Sequence, residues 1–103
     1  MKSSLNNSVA LITGAASGIG RSLAVQAAQK NARVIAVDIN EPGLAETNQL
    51  AGGKLECHRL DVSDAEAILG FADKIIPTLN GRPLLLVNNA GVALAVSEKL
   101  GAC

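Results

Sequence analysis

The chain has 103 residues with nine basic and nine acidic side chains, and 49% of it is hydrophobic. That length bounds it to one domain, with apolar content for one core burying roughly 60–65% of the unfolded surface. Zero net charge leaves no electrostatic footprint for nucleic acid or an anionic membrane, and a single Phe with no Trp or Tyr leaves no platform for base stacking. Cys57 and Cys103 have neither C-x-x-C spacing nor a His cluster beside them, so two free thiols and no metal site are expected. Met1–Ser8 is polar and the apolar run behind it is too short for a signal-peptide core or a membrane span, which reads as a cytoplasmic protein.

Val9–Ile12 is the first of four aliphatic runs and reads as a strand covered on both faces. It leads straight into Thr13-Gly14-Ala15-Ala16-Ser17-Gly18-Ile19-Gly20, a glycine-rich turn that opens a helix. Gly14 suits a positive-φ turn out of the strand. Gly18 lets backbone approach a pyrophosphate, whose charge a helix N-terminus favours. Gly20 allows the first helical turn to lie close against the strand. Ser17 offers a hydroxyl to a phosphate or ribose oxygen. The Lys-Ser/Thr pair of a P-loop is absent, which argues against a triphosphate. The helix is expected over Gly18–Lys30, with Ile19, Leu23 and Ala27 inward and Asn31 as a left-handed cap.

Arg33–Val37 is the second strand and ends at Asp38, 18 residues beyond Gly20. A carboxylate there is placed to accept both hydroxyls of an adenosine ribose and to repel a 2′-phosphate. Ile39 and Asn40 follow with no Arg or Lys adjoining, so NAD is expected over NADP. Asn40 caps a helix to Leu50, with Leu44, Thr47 and Leu50 on one face and Gly52-Gly53 ending it. The third run, Lys54–Leu60, is interrupted by Glu56, His58 and Arg59, as suits an exposed sheet edge. Ser63-Asp64-Ala65-Glu66 has the form of a capping box; Ile68, Phe71 or Ala72, and Ile75 follow before Pro77 stops the helix. Asn80-Gly81 turns into Leu84–Val87, an uncharged fourth strand.

Strand–helix alternation with right-handed crossovers gives an α/β protein with a parallel sheet in the order 3-2-1-4. This is a partial doubly wound sheet, truncated after the fourth strand, in a single domain over residues 1–103 with Val92–Cys103 as an irregular tail. The fourth strand is then an unpaired edge, and self-association through it is expected. Taken singly, the glycine turn fits a βα turn that binds nothing, and Asp38 a strand-end cap. Asp61 equally fits a helix-entry residue, and Asn88-Asn89-Ala90-Gly91 an ordinary turn.

Together these residues resemble the short-chain dehydrogenase/reductase family. Gly14, Gly18 and Gly20 match its G-x-x-x-G-x-G pattern rather than the G-x-G-x-x-G of other dinucleotide folds. Asp61-Val62 follows the third strand, where the resemblance implies a carboxylate on the adenine amino group and a backbone N–H on a ring nitrogen. Asn88-Asn89-Ala90-Gly91 matches the N-N-A-G signature that lines the adenosine and holds the central sheet. The resemblance spans roughly residues 7 to 94 and implies a Rossmann-type fold with NAD as its dinucleotide. The implied coenzyme contacts are Gly14, Ser17, Gly18, Ile19, Gly20, Asp38, Ile39, Asp61, Val62, Asn88, Ala90 and Gly91.

The family's chemistry requires a serine, a Y-x-x-x-K pair and a helix asparagine beyond the fourth strand. This chain has no tyrosine, and Ser97 and Lys99 follow the N-N-A-G turn too closely to match. Protonating a carbonyl oxygen at neutral pH needs an acid whose pKa a nearby cation has lowered. His58, on the edge strand and away from the strand ends, is expected at the surface, so no catalytic residue is expected within this chain. The expected function is the coenzyme-binding part of an NAD-dependent short-chain oxidoreductase. The alternatives are a non-catalytic nucleotide-binding or interaction module and, with the glycine spacing and N-N-A-G against it, a methyltransferase-like adenosine-binding domain.

Overall fold

Val9–Thr13 forms β1, and both of its long sides are taken: in register, Val9 pairs with Arg33 on one side and with Leu84 on the other. The computed structural model describes residues 5–88 and, as backbone, Ala93–Val96. In chain order β1 is followed by α1 (Gly18–Gln29), β2 (Arg33–Asp38), α2 (Glu41–Leu50), β3 (Leu55–Arg59), α3 (Ala65–Ile75), a 3₁₀ turn at Ile76–Thr78, β4 (Leu84–Asn88) and β5 (Ala93–Val96). The sheet order is β3-β2-β1-β4-β5, and its first four strands are parallel, as the alternation of strands and helices requires.

The end of the chain departs from expectation. Ala93–Val96 is not irregular: it runs antiparallel to β4, pairing Leu85 with Val96 and Asn88 with Ala93. A strand needs partners for its outward N–H and C=O groups, and here the returning chain supplies them. β4 is therefore paired on both sides, which removes the open edge on which self-association through it rested. At the opposite side of the sheet β3 is an edge, as its charged residues indicate.

Alternating side chains send the strands' apolar residues to opposite faces. Ala10, Ile12, Val34 and Ala36 pack under α1 and α2 with Ala24, Ala28 and Leu44. Val9, Ile35 and Val37 are buried on the other face, where Phe71 and Ile75 of α3 pack against them. That second face is only partly covered, and no residue of α3 is fully buried.

The inner face of α1 keeps Ala27 but not the expected Ile19 and Leu23. Ile19 is 69% exposed and Leu23 37%, whereas Gly20, Ala24, Ala27 and Ala28 are buried. The helix lies too close to the sheet for large side chains, so its small residues face inward. In α2, Leu44 and Thr47 are buried, but Leu50 is 62% exposed and Ala51 takes its place inside. Asn40 caps α2 by accepting from the Gly43 N–H, as its position predicts. The cap of α3 is Asp64, which accepts from the Ala67 N–H, and not Ser63, whose hydroxyl donates to Asp61 instead. Asn31 adopts φ 72°, the expected left-handed cap.

Arg33, at the start of β2, holds Glu56 of β3 through two hydrogen bonds of 2.6 and 2.9 Å. The guanidinium keeps the Glu56 carboxyl below the usual carboxylate range, against the smaller opposing effect of burial. Because the folded-state value is the depressed one, the pair's stabilisation is fully present above the usual value of about 4.3 and fades as pH falls through the folded value. Both side chains are partly exposed, so the contribution is at most about 1 kcal/mol. Glu56→Gln is expected to lower the urea midpoint at pH 7 and to leave it unchanged at pH 2. An equal loss at both would show that charge is not the cause.

Candidate functional site

The carboxyl ends of β1, β2 and β3 lie side by side in the parallel sheet, so the segments that follow them share one edge. At the end of β1, Gly14 turns the chain at φ 68°. A Cβ on Gly20 would fall 2.7 Å from the Gly14 carbonyl carbon and 3.2 Å from the Ala15 Cα, so only glycine permits this approach of helix to strand. Gly18 is needed for a different reason: its φ is 58°, while a Cβ there would meet nothing within 4 Å. Ser17, Gly18 and Ile19 are exposed, the Ser17 side chain makes no cap bond to the helix, and the first turn of α1 holds no acidic residue. This helix start therefore presents N–H groups and a positive dipole end to open space with no carboxylate competing for them.

Asp38 closes β2 half-buried, and both its oxygens are engaged by backbone. Oδ2 accepts from the Ala16 N–H and Oδ1 from the Asn40 N–H, each at 3.0 Å. A carboxylate oxygen has a second lone pair, so each retains capacity for a hydroxyl donor. The Ala15 N–H donates to the Val37 carbonyl at 3.2 Å, which fixes the glycine turn beside β2. Ile39, next along, is 51% exposed, and Val62, beyond β3, is 38% exposed. Asp61 accepts from the Ser63 hydroxyl at 2.6 Å and the Ser63 N–H at 2.9 Å, bonds that hold its carboxyl below the usual range.

Asn88 ends β4 opposite Thr13, and the Thr13 hydroxyl lies 3.2 Å from Asn88 Oδ1, tying the end of β4 to the end of β1. Ala90 and Gly91 lie outside the described residues. An apolar groove of about 450 Å³ runs from Thr13, Val62 and Asn88 along the partly covered face past Leu11, Phe71 and Leu86. His58 is not remote from the strand ends: it pairs with Val37, one residue from the end of β3, and is half-buried with its ring edge-on to Phe71 at 5.0 Å. Cys57 is a free thiol, and among the described residues no three potential ligands cluster as a metal site would require.

One set of contacts at the loop has no counterpart in the sequence pattern. Thr47 of α2 is completely buried, and its hydroxyl lies 2.8 Å from the Ala15 carbonyl and accepts from Arg21 Nε, also at 2.8 Å. Arg21 Nη2 lies within hydrogen-bond reach of the Ala16 carbonyl at 2.6 Å, the Gly43 carbonyl and Glu46. Thr47 reads from its spacing as a core position. The one clue to more is a hydroxyl on the apolar face of α2.

A central strand that ends in a glycine turn, within a sheet wound 3-2-1-4, defines a doubly wound α/β protein of Rossmann type. The chain belongs to the short-chain dehydrogenase family, whose family model matches residues 8–101. It is 45% identical over 100 residues to the D-threitol dehydrogenase of Mycolicibacterium smegmatis, covering 93% of this chain and 38% of that protein. It is 40% identical over 91 residues to 3beta-hydroxysteroid dehydrogenase 2 of Eggerthella lenta, covering 85% of this chain and 35% of that one. Among solved structures, carveol dehydrogenase of Mycobacterium avium in complex with NAD superposes with a TM-score of 0.73 at 33% identity, over 91% of this chain and 39% of that one. A hydroxysteroid dehydrogenase from Escherichia coli superposes with a TM-score of 0.70 at 32% identity, over 82% and 37% of the two chains. The chain thus spans little more than a third of the length of these relatives. No helix among the described residues is long and apolar enough to cross a membrane.

Proposed function

We propose that this chain binds NAD(H) across the carboxyl ends of β1, β2 and β3, as the coenzyme-binding part of a cytoplasmic NAD-dependent short-chain oxidoreductase. The observation that carries this reading is the exposed, carboxylate-free start of α1 beside an Asp38 held against the same loop. The residues fit the group. The N–H groups at Ser17 to Gly20 suit the pyrophosphate, with Gly14 making the turn. Asp38 suits the adenosine ribose and Ile39 its apolar flank. Asp61 and Val62 suit the adenine and Asn88 the adenosine side of the edge, while Ala90 and Gly91, outside the described residues, are assigned from the resemblance alone. When bound, the nicotinamide supplies the hydride donor or acceptor for interconverting an alcohol and a carbonyl.

The carboxylate of Asp38 disfavours a 2′-phosphate, so NAD is the preferred form. The chain has no tyrosine, and Asp61, whose carboxyl at this edge is held below its usual range, has no proton to donate near neutral pH. It therefore binds without transferring hydride. The same absence favours, as a second reading, a non-catalytic nucleotide-binding module. Calorimetric titration of the purified chain with NAD and NADP, paired with assays on simple alcohols, tests these statements. Binding of NAD in preference to NADP without turnover is expected. Equal affinities would overturn the role of Asp38, and turnover abolished by substituting Gly14 would overturn the absence of catalysis.

A further inference from the structure

We propose that Thr47 and Arg21 are positioning residues that set the geometry of the glycine turn for a pyrophosphate, an inference that rests on the nucleotide reading above. The turn is gripped from two sides. From β2, the Val37 carbonyl and the Asp38 carboxylate take the N–H groups of Ala15 and Ala16. From α2 and α1, the Thr47 hydroxyl takes the Ala15 carbonyl at 2.8 Å and the Arg21 guanidinium takes the Ala16 carbonyl at 2.6 Å. All four polar backbone atoms of these two residues are thereby committed. The next N–H groups, at the exposed residues Ser17 to Ile19, point as the pair before them dictates.

Packing alone does not call for this arrangement. A buried hydroxyl costs free energy unless it is hydrogen-bonded, and valine has nearly the same shape without that demand. Here the hydroxyl, whose one proton is within reach of the Ala15 carbonyl at 2.8 Å and of the Gly43 carbonyl of its own helix at 3.1 Å, also accepts from Arg21 Nε, so it orients the guanidinium whose Nη2 reaches Ala16. The approach of α2 is itself built for the contact: a Cβ on Gly43 would lie 2.7 Å from the Ala16 Cβ and 3.0 Å from the Ala16 carbonyl oxygen. Asp38 acts on the ribose side and this pair acts behind the phosphates, so losing the pair should cost pyrophosphate binding and spare the nucleoside.

The experiment compares Thr47→Val, Thr47→Ser and Arg21→Lys with the unsubstituted chain by two measurements. The first is amide hydrogen exchange without nucleotide. Thr47→Val and Arg21→Lys should speed exchange of the Ala15 and Ala16 amides, which Val37 and Asp38 hold, at least tenfold relative to Ile35 in β2, and Thr47→Ser should restore protection. The second is titration with NAD and with adenosine, which lacks the pyrophosphate. Thr47→Val should weaken NAD about tenfold, the worth of one hydrogen bond, and leave adenosine unchanged. Unchanged exchange in the loop, or exchange raised equally at Ile35, overturns the proposal. So does equal weakening of NAD and adenosine. If the unsubstituted chain binds no NAD while the loop still loosens selectively, the nucleotide reading fails and the mechanical role of the pair stands. If Thr47→Val does not fold, the exchange measured on Arg21→Lys and Thr47→Ser decides.

Discussion

Asp38→Ala is expected to weaken NAD binding by at least a hundredfold and to erase the preference over NADP. Two ribose hydrogen bonds to a charged acceptor are lost, each worth about 1.5–3 kcal/mol, and even the lower figure for both gives roughly that factor. The structure adds a second loss. Oδ2 of the same carboxylate holds the Ala16 N–H at 3.0 Å, so the glycine turn loosens when the ribose acceptor goes. Asp38→Asn keeps one acceptor oxygen for the loop but not the negative charge. It should therefore recover part of the NAD affinity while tolerating NADP better than the native chain. Calorimetry on the three proteins with both dinucleotides checks this. An alanine variant that still binds NAD tightly would remove Asp38 from the site.

The second large effect is at Gly20, and its neighbour Gly18 is the control. Gly20→Ala forces a methyl group into the Gly14 carbonyl, and the obstacle is backbone with no freedom to swing aside. The cost is put at about 3 kcal/mol, the upper end of overpacking. Gly18→Ala meets open space and loses only the ease with which glycine adopts φ 58°, about 1–2 kcal/mol. A chain of this size has a total stability of roughly 5–15 kcal/mol, so the first variant gives up a substantial share of it. Urea unfolding followed by circular dichroism should give a clearly lower midpoint for Gly20→Ala than for Gly18→Ala. The reverse order would mean that the helix-to-strand approach is softer than its geometry indicates.

Much of this fold can be read from the chain because its signals are local. The runs at Val9, Arg33 and Leu84 are apolar on both faces, and only a covered parallel sheet uses such strands. Asp38 is likewise legible from its spacing to the glycines. Its grip on Ala16 is not, because that depends on how near the turn passes to β2. The face of α1 misleads for a related reason: Ile19 and Leu23 carry the apolar pattern, but the closeness of Gly20 to Gly14 turns Ala24 and Ala28 inward. β5 is a short strand recruited by the unmet hydrogen bonds of β4, a tertiary demand that its own residues do not announce. Thr47 and Arg21 belong to the same class, since their partners are backbone carbonyls on another element.

The place of β1 at the centre of the sheet shapes the order in which the protein can assemble. One neighbour, β2, follows after a single helix, and that exchange brings Asp38 to the glycine turn through contacts close in the chain. The other neighbour, β4, must return across a separation of 75 residues before Asn88 meets Thr13. Closing a long loop costs entropy before its contacts reward it, so the two sides of β1 mature at different times. Along a growing chain, the half of the edge that holds the glycine turn and Asp38 can organise first, and the half that ends in Asn88 waits for nearly the whole sheet.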